Sequence, residues 1–217
     1  MKVLLLAILP AFLCAQTSLT LTGPAKTYPG GPPVTLTLTL AGSSGQNLAG
    51  LEWTLTAPTG ATLSNVTQGA ASASATKTPY CNPADTLCLL TGLSSTTPPV
   101  ITNAVYTDGV VASIELTFPS GTPIGPASIP LTGLLGASLS ATSVSISSGP
   151  AYSINVTYNP CDVNQDGSVN YSDAELIVQA IIGSASCPAT FSAGCSLDSL
   201  QAVLTAASGG ACSLPLP

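Results

Sequence analysis

The chain has no histidine, and among its 217 residues only Lys2, Lys26 and Lys77 carry a positive charge, since arginine is absent as well. A groove that tracks a phosphate backbone cannot be built from so few cations, so nucleic-acid binding is excluded. Without histidine the usual general base and the middle member of a hydrolytic triad are missing. The acids of the first two thirds, Glu52, Asp85, Asp108 and Glu115, fall on separate strands and turns, not as the facing pair that glycoside hydrolysis uses. No enzyme is expected. Beyond the first residues no apolar run approaches the ~20 positions of a membrane-spanning helix, so no membrane span is expected either. Charged residues make up 6% of the chain, and what replaces them is Thr, Ser, Gly and Pro. That composition suits a secreted β-protein whose surface is wetted by hydroxyls in place of ions.

The start of the chain supports the same compartment. Lys2 followed by the apolar run Val3 to Leu13 reads as a secretory leader over residues 1–15, with a cleavage site at Leu13-Cys14-Ala15 before Gln16. Acylation of Cys14 is the alternative, disfavoured by the bulky Phe12 and Leu13 beside it. Of seven cysteines, Cys14 falls in the leader, and the even remainder reads as disulfides in an exported protein. Zinc is the rival, but no C-x-x-C spacing is present. Six cysteines leave fifteen connectivities open.

The segment Asp162 to Asp173, DVNQDGSVNYSD, is a calcium loop in pattern. Asp162, Asn164 and Asp166 stand at positions 1, 3 and 5, and Gly167 at position 6, where the backbone turns sharply. Ser168 at position 7 offers its carbonyl, and Asn170 and Asp173 fill positions 9 and 12. A hard cation wants six to eight oxygens, so one calcium ion is expected here and magnesium is the poorer fit. An Asp/Asn-rich turn without metal is the plain alternative, but it needs neither donors at every second position nor Gly167. After the loop, Ser172 and Glu175 form a capping-box pattern, and Leu176, Ile177, Ala180 and Ile181 make an apolar stripe that Gly183 ends. Before it, Thr157 to Pro160 is extended, so the entering helix of an ordinary EF-hand is missing.

A loop followed by one helix, with Asp at position 12, resembles the dockerin repeat of bacterial cellulosome proteins, which pairs two such units. A second unit is expected 25 residues on, where Asp198 opens a helix bearing Leu197, Leu200, Val203, Leu204 and Ala207 on one side. Its loop, CPATFSAGCSLD, places Cys187, Ala189 and Phe191 at ligand positions and cannot hold calcium. The preferred pairing is Cys81–Cys88, Cys187–Cys195 and Cys161–Cys212, the second stapling the loop without metal and the third clasping the ends of the unit. The resemblance covers residues 161–212. It implies a protein partner, contacted through loop positions 10 and 11, Tyr171 and Ser172, with Ser196 and Leu197 as their counterparts.

Between Gln16 and about Tyr158 the apolar period is two and the runs are short. Strands are expected at Ser18 to Thr22, Val34 to Leu40, Leu51 to Leu55, Thr86 to Leu90, Val110 to Phe118, Ala127 to Leu131, Thr142 to Ser147 and Ser153 to Tyr158, with no helical stretch among them. Turn residues separate them, and so many short strands argue a β-sandwich. In this pattern Ala112, Ile114, Leu116 and Phe118 face inward, as does Trp53, which shares a face with Leu51 and Leu55. A core place for Trp53 outweighs a sugar-stacking one.

The order of VTLTLTL, LAGLEWTL, IELTF and IGPASIPLTG looks like the cohesin family and its carbohydrate-binding-module relatives. The expected fold is therefore mainly β: a cohesin-like β-sandwich (jelly roll) at residues 16–157, a linker at 158–160, and a small α-helical, calcium-loop, dockerin-like module at 161–217. The expected function is extracellular assembly, accessory to polysaccharide degradation. The partner would carry a cohesin- or dockerin-like domain, a second copy of this chain included. Direct polysaccharide binding by the sandwich is the competing reading.

Overall fold

The structure is a computed structural model that describes residues 16–82, 87–90 and 104–216; the expected leader, Asp85 and Thr86 lie outside them. The chain runs β1 (Ser18–Thr22), β2 (Lys26–Thr27), β3 (Val34–Ala41), β4 (Leu48–Leu55), β5 (Thr62–Gln68), α1 (Ala70–Ser74), β6 (Tyr80–Asn82), β7 (Leu87–Leu90) and β8 (Gly109–Thr117). It continues through β9 (Gly125–Ile129), β10 (Leu131–Ser138), β11 (Ser143–Val144), β12 (Ser147–Ser148), β13 (Tyr152–Val156), α2 (Tyr171–Ile181) and α3 (Leu197–Ala207). Two five-stranded sheets, ordered β12-β1-β3-β8-β5 and β11-β10-β4-β7-β6, form the sandwich, and β2-β13-β9 makes a smaller third sheet.

The alternation of leucine and threonine decides β3. Leu36, Leu38 and Leu40 are fully buried, while the intervening threonines stay on the outer face, where a β-branched chain packs well along a pleat. Each such leucine contributes about 1.5–3 kcal/mol by leaving water. On β8 the expected inward set is buried, and Val111 joins it, because the register against β3 jumps from Ala112 to Val110. That bulge turns two successive side chains inward. Leu48, Leu51, Trp53, Leu55 and Cys88 face them from the second sheet, so one apolar layer lies between the two. Trp53 is fully buried, and its indole N–H has no acceptor among the described residues. An orphaned donor of that kind costs about 1–3 kcal/mol, which the area of the ring outweighs.

The structure departs from the expected strands where polar or proline chemistry interrupts the period. The run Ala127 to Leu131 is not one strand: Pro130 has no N–H to give, β9 stops before it and pairs with β13, and β10 starts after it and pairs with β4. The run Thr142 to Ser147 likewise divides, β11 joining β10 and β12 pairing in parallel with β1. β13 ends at Val156, before Tyr158. β5 was not expected. Its register slips between Ser64 and Thr67, with Asn65 in the left-handed region at φ 47°, and this bulge hides the period of two. The sandwich also contains a helix, α1, whose Ser72 hydroxyl donates to the Val111 carbonyl at 2.7 Å. It enters through Gly69, where any Cβ would stand 2.3 Å from the Val110 carbonyl oxygen, so no larger residue fits.

A separate apolar cluster lies beyond Pro160: Cys161, Val163, Ala174, Ile177, Phe191 and Val203. The disulfides Cys81–Cys88, Cys161–Cys212 and Cys187–Cys195 all form. No helix among the described residues is long and apolar enough to cross a membrane.

Candidate calcium loop and exposed apolar faces

Asp162 and Asp173 close the loop from its two ends. Asp173, fully buried, accepts from the Val163 N–H at 2.8 Å and the Asn164 N–H at 3.1 Å through one oxygen, and from the Asn170 N–H at 2.9 Å through the other. Asp162 accepts from Asp166 N–H at 3.1 Å and Gly167 N–H at 2.9 Å. Asn164 and Asp166 take the N–H groups of Asp166 and Ser168, both at 2.9 Å. Gln165 at φ 59° and Gly167 at φ 91° supply the reversals that wrap the chain around these oxygens. All six positions expected to ligate therefore lie on one wrapped segment.

The donor set suits a hard cation. Asp162 and Asp173 are buried without a cationic partner among the described residues, and Asp166 adds a third negative charge. Burial pushes the Asp162 carboxyl above its ordinary value, the Gly167 N–H draws it back, and the charges of Asp173 and Asp166 raise it again. Three carboxylates with no counter-charge call for a cation of their own. Among the described residues no three Asp, Glu, Cys or His side chains gather as a metal cluster by themselves. A cation here would accordingly draw also on the amide oxygens of Asn164 and Asn170 and on the Ser168 carbonyl.

The helices alter the expected repeat. Asn170, not Ser172, caps α2: its side chain accepts from the Ser172 N–H at 2.8 Å while Asp173 answers the Asn170 N–H. In α3 the cap is Ser196, whose hydroxyl accepts from the Ser199 N–H at 3.1 Å. Twenty-six positions, not 25, separate Asn170 from Ser196, buried Asp173 from buried Ser199, Ile177 from Val203, and the left-handed Gly183 from Gly209. Cys161 and Cys187 match at the same spacing. Asp198 is exposed and is not the partner of Asp173. The counterparts of Tyr171 and Ser172 are thus Leu197 and Asp198, in place of Ser196 and Leu197.

The buried stripes are also narrower than the sequence pattern implied. Ile181 on α2, and Leu197 and Leu204 on α3, face outward, whereas Asp173 and Ser199 point in, because each capping group occupies the helix's inner edge. Tyr171 (66% exposed), Val178 and Ile182 (70% exposed) follow helical spacing along one outer line of α2 and its C-cap. Leu197 and Leu204 repeat that line on α3, and Ser208 replaces the last member. The sequence reading chose Tyr171 and Ser172, both of which are exposed, but missed Val178 and Ile182.

A second apolar face lies on the outside of the sheet that holds Trp53. Because Leu51, Trp53 and Leu55 point in, Glu52 and Thr54 point out, and the register sets Tyr80 opposite Leu89, Leu89 opposite Glu52, and Glu52 opposite Leu135. This transverse row ends in Tyr80 (71% exposed) and Leu135 (57% exposed). A bulge between Thr132 and Leu135, with Gly133 at φ 60°, turns Leu134 in and Leu135 out. Beside the row is a shallow depression of about 390 Å³ floored by Gly50 and Ala137. Asp108 and Glu115, the other acids of the sandwich among the described residues, have structural tasks. Asp108 accepts from Ser43 Oγ at 2.6 Å, Ser43 N–H at 2.8 Å and Gly42 N–H at 3.0 Å, and the Ser43 hydroxyl holds its carboxyl below the usual range. Glu115 accepts from Asn65 Nδ2 at 2.5 Å.

No family model matches the chain. No curated protein matches it either. Solved structures do. The sixth cohesin from Acetivibrio cellulolyticus scaffoldin B, crystallised with a Cel5 dockerin, is 19% identical at a TM-score of 0.50, over 65% of this chain and 99% of that one. The cohesin of the Coh-OlpA–Doc918 type I cohesin–dockerin complex from Clostridium thermocellum is 14% identical at a TM-score of 0.51, with the same two coverages, 65% and 99%. A non-cellulosomal cohesin from the archaeon Archaeoglobus fulgidus is 12% identical at 0.47, over 66% and 92%. At these identities the likeness is one of fold: the sandwich is cohesin-like.

Proposed function

We propose that this chain is an exported, non-catalytic assembly protein with two docking elements, a cohesin-like sandwich at residues 16–157 and a calcium-dependent, dockerin-like module at 161–217. The observation that carries the reading is the pair of exposed apolar faces. One is the Tyr80–Leu135 row across a sheet and the other the Tyr171–Ile182 line on a helix, each broken by one carboxylate, Glu52 in the row and Glu175 on the line. The cohesins of Acetivibrio and Clostridium were crystallised with dockerin partners. By that likeness the sheet face here takes a helical calcium-loop module, and the helix line takes a sandwich face. The partner is another chain of this kind or a second copy, and an accessory place in polysaccharide degradation belongs to the same reading. Trp53, the one tryptophan, is buried, which removes the most evident sugar platform from the competing reading.

Calcium enters the proposal as a structural ion. Asp162, Asn164, Asp166, Ser168, Asn170 and Asp173 would hold it, and it would supply the charge that lets their carboxylates be buried together. The chain's own residues do the rest: Asn170 starts α2, and α2 presents Tyr171, Val178 and Ile182.

Sedimentation over a range of concentrations, with calcium and with chelator, tests the reading together with capture of exported proteins on immobilised chain. The expected result is a calcium-dependent complex, with itself or with a foreign protein, that Tyr171→Ala or Leu135→Asp weakens at least tenfold. A monomer that captures nothing in either condition contradicts it, as does a complex indifferent to both substitutions.

A further inference from the structure

The two sheets of the sandwich part at one side. There, between the bulged edge strand β5 and the edge strand β6, lies a cavity of about 370 Å³. Its walls are Leu55, Leu63, Val66 and Ile114 together with the Cys81–Cys88 disulfide, and Ser64, Tyr80 and Asn82 also border it. Among the described residues no carboxylate or ammonium lines it.

Two features fix both walls. On one side the β5 bulge sets Asn65 and Val66 opposite the single residue Ile114, and the Asn65 amide is tied outside to Glu115. This leaves Leu63 and Val66 as inward-leaning, half-buried residues. On the other side Cys81 and Cys88 are direct partners across β6 and β7, so the disulfide fastens the short edge strand in place. Apolar walls that could have closed on one another are thereby kept apart. An unfilled apolar void weakens a fold in proportion to its volume, and one with fixed walls, a polar border and an accessible mouth has the character of a ligand pocket.

We infer that this cavity binds a small uncharged amphiphile: a compact hydrocarbon arm enters between Leu63, Val66 and Ile114, and a hydroxylated end stays at Ser64, Tyr80 and Asn82. Among the described residues no charged side chain stands at depth, so an acidic or basic group placed there would meet no partner from them. Affinity should come from the buried arm and fall about fourfold for each methylene removed. The site meets the outer sheet face at Tyr80, which borders both, but the inward side chains of β4 and β7 form its walls while the docking row uses their outward ones.

The test uses octyl β-glucoside below its critical micelle concentration, with the heptyl and hexyl homologues and free glucose. Trp53 is the sole tryptophan and pairs in register with Cys88, which lines the cavity, so its fluorescence is the internal reporter. The expected result is saturable binding of one octyl glucoside per chain, a drop of about fourfold per methylene along the series, and no binding of glucose. Val66→Phe and Leu63→Phe, which fill the cavity, should each lower affinity at least tenfold while the protein melts at or above the native temperature. Absence of saturable binding, affinity independent of chain length, or unchanged affinity in both filled variants would overturn the inference. If neither variant folds, the chain-length series on the native protein decides alone.

Discussion

The two halves of the C-terminal module are the same device held shut in different ways. In the first, a buried carboxylate at Asp173 gathers three backbone N–H groups and faces Asp162 across a loop rich in donors. In the second, the matching position is Ser199, which meets the Ser196 hydroxyl, and the loop before it is spanned by Cys187–Cys195. Phe191, which at this spacing matches Gln165, is buried and joins the apolar cluster. A cation would offset the charge cluster of the first half, whereas a disulfide and a phenyl ring need nothing from solution. The difference teaches that only one half of the repeat should respond to calcium.

The largest expected effect falls on what both halves share. Cys161–Cys212 closes a separation of 51 residues around the whole module, so Cys161→Ser with Cys212→Ser should remove about 4 kcal/mol of its stability on chain entropy. Chemical denaturation followed by signals confined to α2 and α3 would measure it. Next is Asp173→Ser, which gives the first half the residue of the second. It should abolish the gain that calcium gives the native module, about 2.7 kcal/mol at a hundredfold excess over the dissociation constant. Thermal melts with and without calcium should then coincide for the variant. Opening the short disulfide by Cys187→Ser with Cys195→Ser frees a separation of only 8 residues and should cost less, about 2.5 kcal/mol, with calcium stabilisation intact. Loss of that calcium response in the double variant would break the comparison between the halves. At the lower end, Asp198→Asn should change stability by less than about 0.5 kcal/mol, because the 26-residue spacing leaves Asp198 on the surface. A large loss would restore the spacing of 25.

Much of this was legible in the residues, and the failures have physical causes. VTLTLTL announced both its strand and its buried face, because side chains that alternate between water and core leave a period of two. The inward place of Trp53 followed from its neighbours Leu51 and Leu55. The wrapped course of the loop from Asp162 to Asp173 was legible because Asp and Asn at every second position accept nearby backbone N–H groups and Gly167 takes the left-handed conformation. β5 was not, since a bulge adds one residue and shifts every later side chain to the other face. The spacing between the halves was misjudged by one for a related reason. Asp198 offered itself as the match for Asp173, but position in the cap, not residue type, sets the equivalence, and Ser199 holds that position. Lys77 gave no sign of its place: it is fully buried beneath Tyr106 and donates to the Ala49 carbonyl, contacts made by residues distant in sequence. The two exposed faces were only partly visible, for Tyr171 lies in the loop pattern while Tyr80 and Leu135 meet across the sheet only through pairing.

The most direct measurement of the central claim is a calorimetric titration of the chain with calcium, run beside Asp162→Ala. One ion per chain, lost in the variant, with the melting of the C-terminal module raised and that of the sandwich unchanged, is the predicted result. A stoichiometry of two would mean that the disulfide-held half also binds metal. No heat in the native protein, or the same heat in Asp162→Ala, would contradict the assignment of the loop.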